Sequence, residues 1–203
     1  MWWSILSAMV AGYLFGAVPV GYLVGRIYGI DIRQHGSGRT GGTNVWRALG
    51  LGPAILTVLG DALKAAVAVL VARHLLGAGE YGAALAGGMA VVGHNWSVFL
   101  GLRGGAGGVT AGIGLMALNP LVGIVVVPLA IFTLYISHFA SVGTLTVGIG
   151  GLLLLGILVW ISPWIVPPAH LIYGTIAAVA IVIALIPNIR RLIQGTERRI
   201  TLW

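Results

Sequence analysis

The stretch Gly36-Ser37-Gly38-Arg39-Thr40-Gly41 gathers three glycines, two hydroxyls and a guanidinium into six consecutive residues. Glycine leaves the backbone N–H groups uncovered, so a loop of this kind can aim several donors at one anion. Thr43 and Asn44 add further donors, and Arg47 adds a planar, permanently charged fork suited to phosphate. The letters also fit the dinucleotide pattern G-x-G-x-x-G, but that chemistry needs a strand before it and a βαβ unit around it. Here the loop joins two apolar runs, so the expectation is a phosphate cradle, with a simple hairpin between spans as the competing reading. A second run, Arg103-Gly104-Gly105-Ala106-Gly107-Gly108-Val109-Thr110, opens a helix. It reads either as another anion site at a helix N-terminus or as close helix packing through small residues.

Few other residues offer chemistry. His94 precedes the second loop and can serve as a base, a hydrogen-bond donor or a structural group. Asp61 and Lys64 stand three apart inside an apolar run and can pair on one helix face. Charges at membrane depth are functional candidates, and a structural ion pair explains them equally well. His35, His74, His138 and His170 show no metal-ligand spacing with carboxylates, so no metal is expected, and no cofactor. Absence of cysteine excludes thiolate catalysis and disulfides. Neither a G-x-S-x-G elbow nor the H-x-x-x-x-D pattern of soluble-type glycerolipid acyltransferases is present.

The elements that must position these loops are membrane helices. Of 203 residues, 59% are hydrophobic and only 7% charged, against about 25% charged in soluble domains. Lipid is therefore the solvent for most of the surface. Apolar runs at 4–28, 51–74, 82–101, 107–118, 121–138, 142–162 and 168–187 predict an all-α integral membrane protein of about seven transmembrane helices. The whole chain, 1–203, reads as one polytopic domain. The first run lacks the basic start of a signal peptide and reads as a retained helix. The glycine-rich 107–118 run, stopped by Asn119-Pro120, predicts a half-depth helix. An N-out, C-in arrangement puts Arg26, Arg33, Arg39, Arg47, Arg103, Arg190, Arg191, Arg198 and Arg199 inside and only Arg73 outside, as the positive-inside rule requires. Trp2, Trp3, Trp160 and Trp164 then form an outer aromatic belt. The net charge of +7 is explained by orientation and anionic lipid, not nucleic acid. Three polar stretches, 31–50, 93–110 and 137–144, meet on the inner side, where irregular backbone implies a shared cavity.

These loops, in this order, resemble the PlsY family of bacterial inner-membrane enzymes. The family's first motif, similar to GSGN-x-GATN-x-x-R, stands here as GSGRTGGTNVWR at 36–47, and its Asp-x-x-Lys pair is matched by Asp61 and Lys64. Its GH-x-x-PVFL and FKGGKGVAT segments are matched by GHNWSVFL at 93–100 and LRGGAGGVT at 102–110. The serine loop falls at Ala140-Ser141, and the tail, similar to HRENIRRLL-x-GTE, stands as LIPNIRRLIQGTE at 185–197. The resemblance implies seven helices with the N-terminus outside. It implies acyl transfer from acyl phosphate to glycerol 3-phosphate, giving lysophosphatidic acid on the cytoplasmic side.

The resemblance also suggests roles for the matched positions. Ser37, Arg47 and Ser141 would position glycerol 3-phosphate, and the 104–110 turn, with Gly104, Gly105, Gly107 and Thr110, would hold acyl phosphate. His94 joins the catalytic set, while Gly36, Gly38, Arg39, Thr40, Thr43, Asn44, Lys64, Arg103 and Asn188 join the binding set. Four positions depart from the pattern: Arg39 replaces an asparagine, Ala106 the lysine of GGKG and Leu185 the tail histidine, and His138 stands where many members have serine. Those losses leave open a degenerate relative that serves as a subunit of a larger, possible bioenergetic, membrane complex. A small-anion transporter ranks last, because no inverted repeat is evident.

Overall fold

Proline, glycine and asparagine positions cut the apolar sequence into ten α-helices in the computed structural model, which describes residues 2–201. The first span is α1 (Trp2–Ala17) followed by α2 (Val20–Ile27), broken at Val18-Pro19 because proline cannot donate to the preceding turn. After the first polar loop come α3 (Gly42–Leu49) and α4 (Leu51–Leu70), the latter prolonged by a π turn at Val71–Leu75. Then follow α5 (Gly79–Asn95), α6 (Gly108–Leu118) and α7 (Pro120–Ser137). A short α8 (Ala140–Leu145) runs through a π turn at Thr146–Gly150 into α9 (Gly151–Ile161), and α10 (His170–Ile193) closes the bundle.

Among the described residues, six segments are long and apolar enough to cross a membrane. All seven expected runs are helical, with boundaries moved: the first is interrupted at Pro19, and the last extends from His170 to Ile193. The polar stretch 31–50, expected to be irregular, contains α3 instead. The eleven residues of α6 give about 16 Å of length, roughly half of a ~30 Å hydrocarbon core.

That short helix is the centre of the fold. Its Ala111, Leu115 and Leu118 pack with Val91 of α5, Val122 and Val126 of α7, and Tyr173 and Ile181 of α10. Leu59, Leu63, Ile124 and Leu153 point outward and are 60% or more exposed, the distribution expected where lipid replaces water. Helices α1 and α5 touch through Gly12 and Gly16, where any side chain would run into the carbonyls of Ala86 and Ala90.

At the end of α6 remote from the polar loops, Arg73 donates to the carbonyls of Ala117 at 3.2 Å and Leu118 at 2.8 Å. A helix C-terminus leaves carbonyls without partners, and the Arg73 guanidinium supplies them here. Arg73 is held in turn by Glu80 at 2.8 Å, which lies 2.8 Å from His170 Nε2. With one end tied there, the other end of α6 stops short and leaves a recess.

Candidate active site

The recess is a cavity of about 150 Å³ walled by the first loop and α3, by α5 and the start of α6, and by α8, α10 and the C-terminal segment. Each wall is built by its own sequence. In the first loop the Asn44 amide is the pin. Its Oδ1 accepts from the Ser37 N–H at 2.8 Å, and its Nδ2 donates to the carbonyls of Ile32, His35 and Arg39 at 3.1, 3.0 and 2.8 Å. Gly36 (φ +53°) lies against Asn44 Oδ1, with no room for a side chain. Asn44 therefore shapes the loop: its donor hydrogens are engaged by backbone and are not offered to a ligand. Nearby, hydrogen bonds from Arg33 hold the Asp31 carboxyl down at about 2, so this loop-entry ion pair persists far into acid.

The second wall folds Gly104 and Gly105 directly onto the backbone and ring of His94. Gly105 N–H donates to the His94 carbonyl at 2.9 Å, and Thr40 N–H to the Gly104 carbonyl at 3.4 Å, which joins the two glycine loops. The third wall brings Ser141, Asn188 and Arg191 around the Glu197 carboxylate, at 3.4, 2.6 and 2.8 Å. Arg198 donates to the Gly36 carbonyl, and Ile200 N–H donates to the His138 carbonyl at 2.8 Å. The tail thus straps across the mouth from the third wall to the first.

The sequence-expected residues divide clearly. Ser37, Arg39, Thr43, Asn44, Arg47, His94, Gly107, Ser141 and Asn188, from five separate segments, line the cavity together. Gly36, Gly38, Thr40, Lys64, Gly104, Gly105 and Thr110 do not line it. Lys64 acts from behind, on His94, and Arg103 is exposed beyond the wall. Thr110 Oγ1 is buried without a hydrogen-bond partner among the described residues. Thr144, Arg191, Glu197 and Arg198 also line the cavity and are not among the residues singled out from sequence; Asp61, read there as a candidate paired with Lys64, lines it as well. The tail motif containing Glu197 had been matched, but nothing in its spacing showed that it folds back.

Four guanidinium groups (Arg39, Arg47, Arg191, Arg198) face two carboxylates (Asp61, Glu197) around this small volume. Burial pushes the Arg39 guanidinium below its usual range, helped by Arg191, and pushes Arg47 down, helped by Arg198. Crowded, half-buried cations of this kind gain from a multiply charged oxyanion. No group of histidines and carboxylates among the described residues could hold a metal ion.

Fold and cavity define a polytopic, all-α membrane protein with a basic recess at the N-terminal end of the short helix α6. The family model described as Glycerol-3-phosphate acyltransferase matches residues 6–195, and the chain belongs to that family. A Thermus thermophilus protein named glycerol-3-phosphate acyltransferase is 40% identical over 98% of this chain and 94% of its own length. A Deinococcus radiodurans protein, glycerol-3-phosphate acyltransferase 1, is 41% identical over 97% of this chain and 96% of its own. Among solved structures, the crystal structure of PlsY (YgiH), an integral membrane glycerol 3-phosphate acyltransferase in its glycerol 3-phosphate form, superposes with a TM-score of 0.87. Its identity is 29%, with 97% of this chain and 96% of that one covered. The lysophosphatidic acid form of the same enzyme gives a TM-score of 0.84 at 28% identity, over 97% and 95%.

Proposed function

We propose that this protein transfers a fatty acyl group from acyl phosphate to glycerol 3-phosphate, releasing lysophosphatidic acid and inorganic phosphate. The observation that carries this reading is the open basic cavity, where Arg39 and Arg47 converge with Ser37, Ser141 and His94 on one small volume beside lipid-facing helices. A subunit that had lost catalysis would have no need to keep buried cations around an empty space, so the same observation favours an enzyme.

Acyl phosphate is already activated, so no covalent enzyme intermediate is required. Ser37, Arg47 and Ser141 hold the phosphate of glycerol 3-phosphate, and the part of the 104–110 turn that lines the cavity, 106–109, receives the acyl phosphate together with Arg39. The glycerol 1-hydroxyl oxygen forms the new ester bond at the acyl carbon, the bond from that carbon to the phosphate oxygen breaks, and the departing phosphate takes the hydroxyl proton. The protein supplies proximity and stabilises the developing charge. Oriented N-out and C-in within a bacterial inner membrane, 1–203 acts as one domain. Its cavity faces the cytoplasm, with the acyl chain admitted from lipid.

The test is phosphate release from acyl phosphate by purified protein, with and without glycerol 3-phosphate. Acceptor-dependent release is expected from the native protein and should be lost in Arg47→Ala. Absence of release from well-folded native protein would defeat the reading.

A further inference from the structure

Behind the cavity wall, Lys64 and Asp61 of α4 meet His94 of α5, and all three are 7% exposed or less. Lys64 Nζ donates to the Val18 carbonyl at 2.8 Å, lies 3.0 Å from His94 Nδ1, and lies 2.9 Å from Asp61 Oδ1. His94 Nδ1 lies 3.4 Å from the same carboxylate oxygen. His94 lines the cavity, and its other ring nitrogen, Nε2, occupies the space a side chain on Gly105 would need.

An ammonium has three N–H donors and no lone pair. With its positive charge balanced by the Asp61 ion pair, Lys64 donates to a carbonyl and meets an imidazole nitrogen as its second hydrogen-bond partner. The imidazole nitrogen in that set must therefore be bare, because two donors cannot share one bond. A neutral imidazole has one N–H, and if Nδ1 is bare the proton is on Nε2.

We infer that the Lys64–Asp61 pair is a tautomer clamp that makes His94 a hydrogen-bond donor into the cavity through Nε2–H, and removes it as a base. Lys64 and Asp61 are positioning residues, and His94 is the group that touches substrate. The inference rests on the proposed acyl transfer only for its consequence. There, an N–H aimed at phosphoryl or carbonyl oxygen stabilises charge that grows as the ester forms, while the leaving phosphate handles the proton. The bare Gly105 is part of the device, since any side chain at that position would collide with Nε2.

The experiment is ¹⁵N NMR of histidine-labelled protein in lipid nanodiscs at neutral pH, with the His94 signals assigned by their loss in His94→Asn. A protonated Nε2 and a bare, hydrogen-bonded Nδ1 are expected in the native protein. In Lys64→Met the Asp61 carboxylate is the polar group left beside Nδ1, so Nδ1 should take the proton and donate it to Asp61, reversing the pattern, whereas Lys64→Gln, whose amide still donates, should preserve it. A protonated Nδ1 in the native protein overturns the inference, as does an unchanged spectrum in Lys64→Met. If Lys64→Met does not fold, the native spectrum alone decides. In turnover, Lys64→Met should lower kcat about 10- to 100-fold with little change in KM for glycerol 3-phosphate, and Lys64→Gln should recover much of the loss. The NMR result stands whether or not acyl transfer is observed, so failure of the clamp and failure of the activity are separable.

Discussion

Arg39 reaches across the cavity to the Ala184 carbonyl, one residue before the leucine that replaces the family's tail histidine. Ala106, where the family carries a lysine, lines the same space. The positive charge lost from the second loop is thus matched by one gained on the first, and the two positions face a common volume. If Arg39 is the replacement, Arg39→Asn should raise KM for acyl phosphate roughly 10- to 150-fold, the loss of one charge-assisted bond of about 1.5–3 kcal/mol. Ala106→Lys placed in that background should recover about tenfold, while Ala106→Lys alone changes little. Steady-state kinetics on the four proteins measures this as a coupling, and strict additivity would show that the two cations serve different purposes. The departures at 39, 106 and 185 were visible in the sequence. Their convergence was not, because it depends on where an arginine on one loop and a leucine on α10 meet in space. Asn44 marks the opposite limit: its presence in a donor-rich loop suggested a ligand contact, yet its hydrogens close the loop on itself.

Among the elements, α6 decides the depth of the site, and its length is set by what happens at both ends. Gly107, with φ +81°, starts it beside the cavity. Asn119-Pro120 stops it, with Asn119 Oδ1 accepting from the Val122 N–H at 3.1 Å to open α7. Arg73 then binds the last carbonyls, and its ties to Glu80 and through Glu80 to His170 fasten α4, α5, α6 and α10 together. Arg73→Ala leaves those carbonyls without their donor at the outer end of the bundle. Its expected cost is about 2–3 kcal/mol, seen as a lowered Tm in detergent, with Arg73→Lys recovering part. An unchanged Tm would mean that α6 is held by apolar packing alone. The short glycine-rich run and its Asn-Pro stop made a half-depth helix legible from the sequence. The arginine that secures it was read only as the single basic residue of the outer side, since its partners lie 44 and 45 residues away. Helix α3 escaped notice because eight residues of mixed polarity carry no span-like signal.

For the molecule as a whole, one asymmetry governs both insertion and function: cations gather at the end that holds the cavity. Helix alternation places Ser37, His94, Ser141 and Asn188 at one end and the C-terminal ends of α4 and α9 at the other. Trp160 and Trp164 at that far end are 85% and 78% exposed, and Trp2 and Trp3 at the start of α1 are 77% and 81% exposed. Indole rings of this exposure suit the headgroup layer, and the positive-inside rule would keep the arginine clusters on the cytoplasmic side. The N-out, C-in orientation proposed above rests on summed composition, which needs no knowledge of side-chain contacts. It also decides whether a water-soluble phosphorylated acceptor reaches the cavity from inside the cell. The sequence contains no cysteine, so single cysteines report the sidedness without a background. His74 lies near the far end, while Gln34 and Gln194 lie near the cavity, and all three are exposed. In intact cells a membrane-impermeant maleimide should label His74→Cys and leave Gln34→Cys and Gln194→Cys unmodified, and inverted vesicles should show the reverse. The opposite pattern would turn the cavity outward and, with it, exclude a cytoplasmic acyl phosphate as the donor, whatever the chemistry of the site.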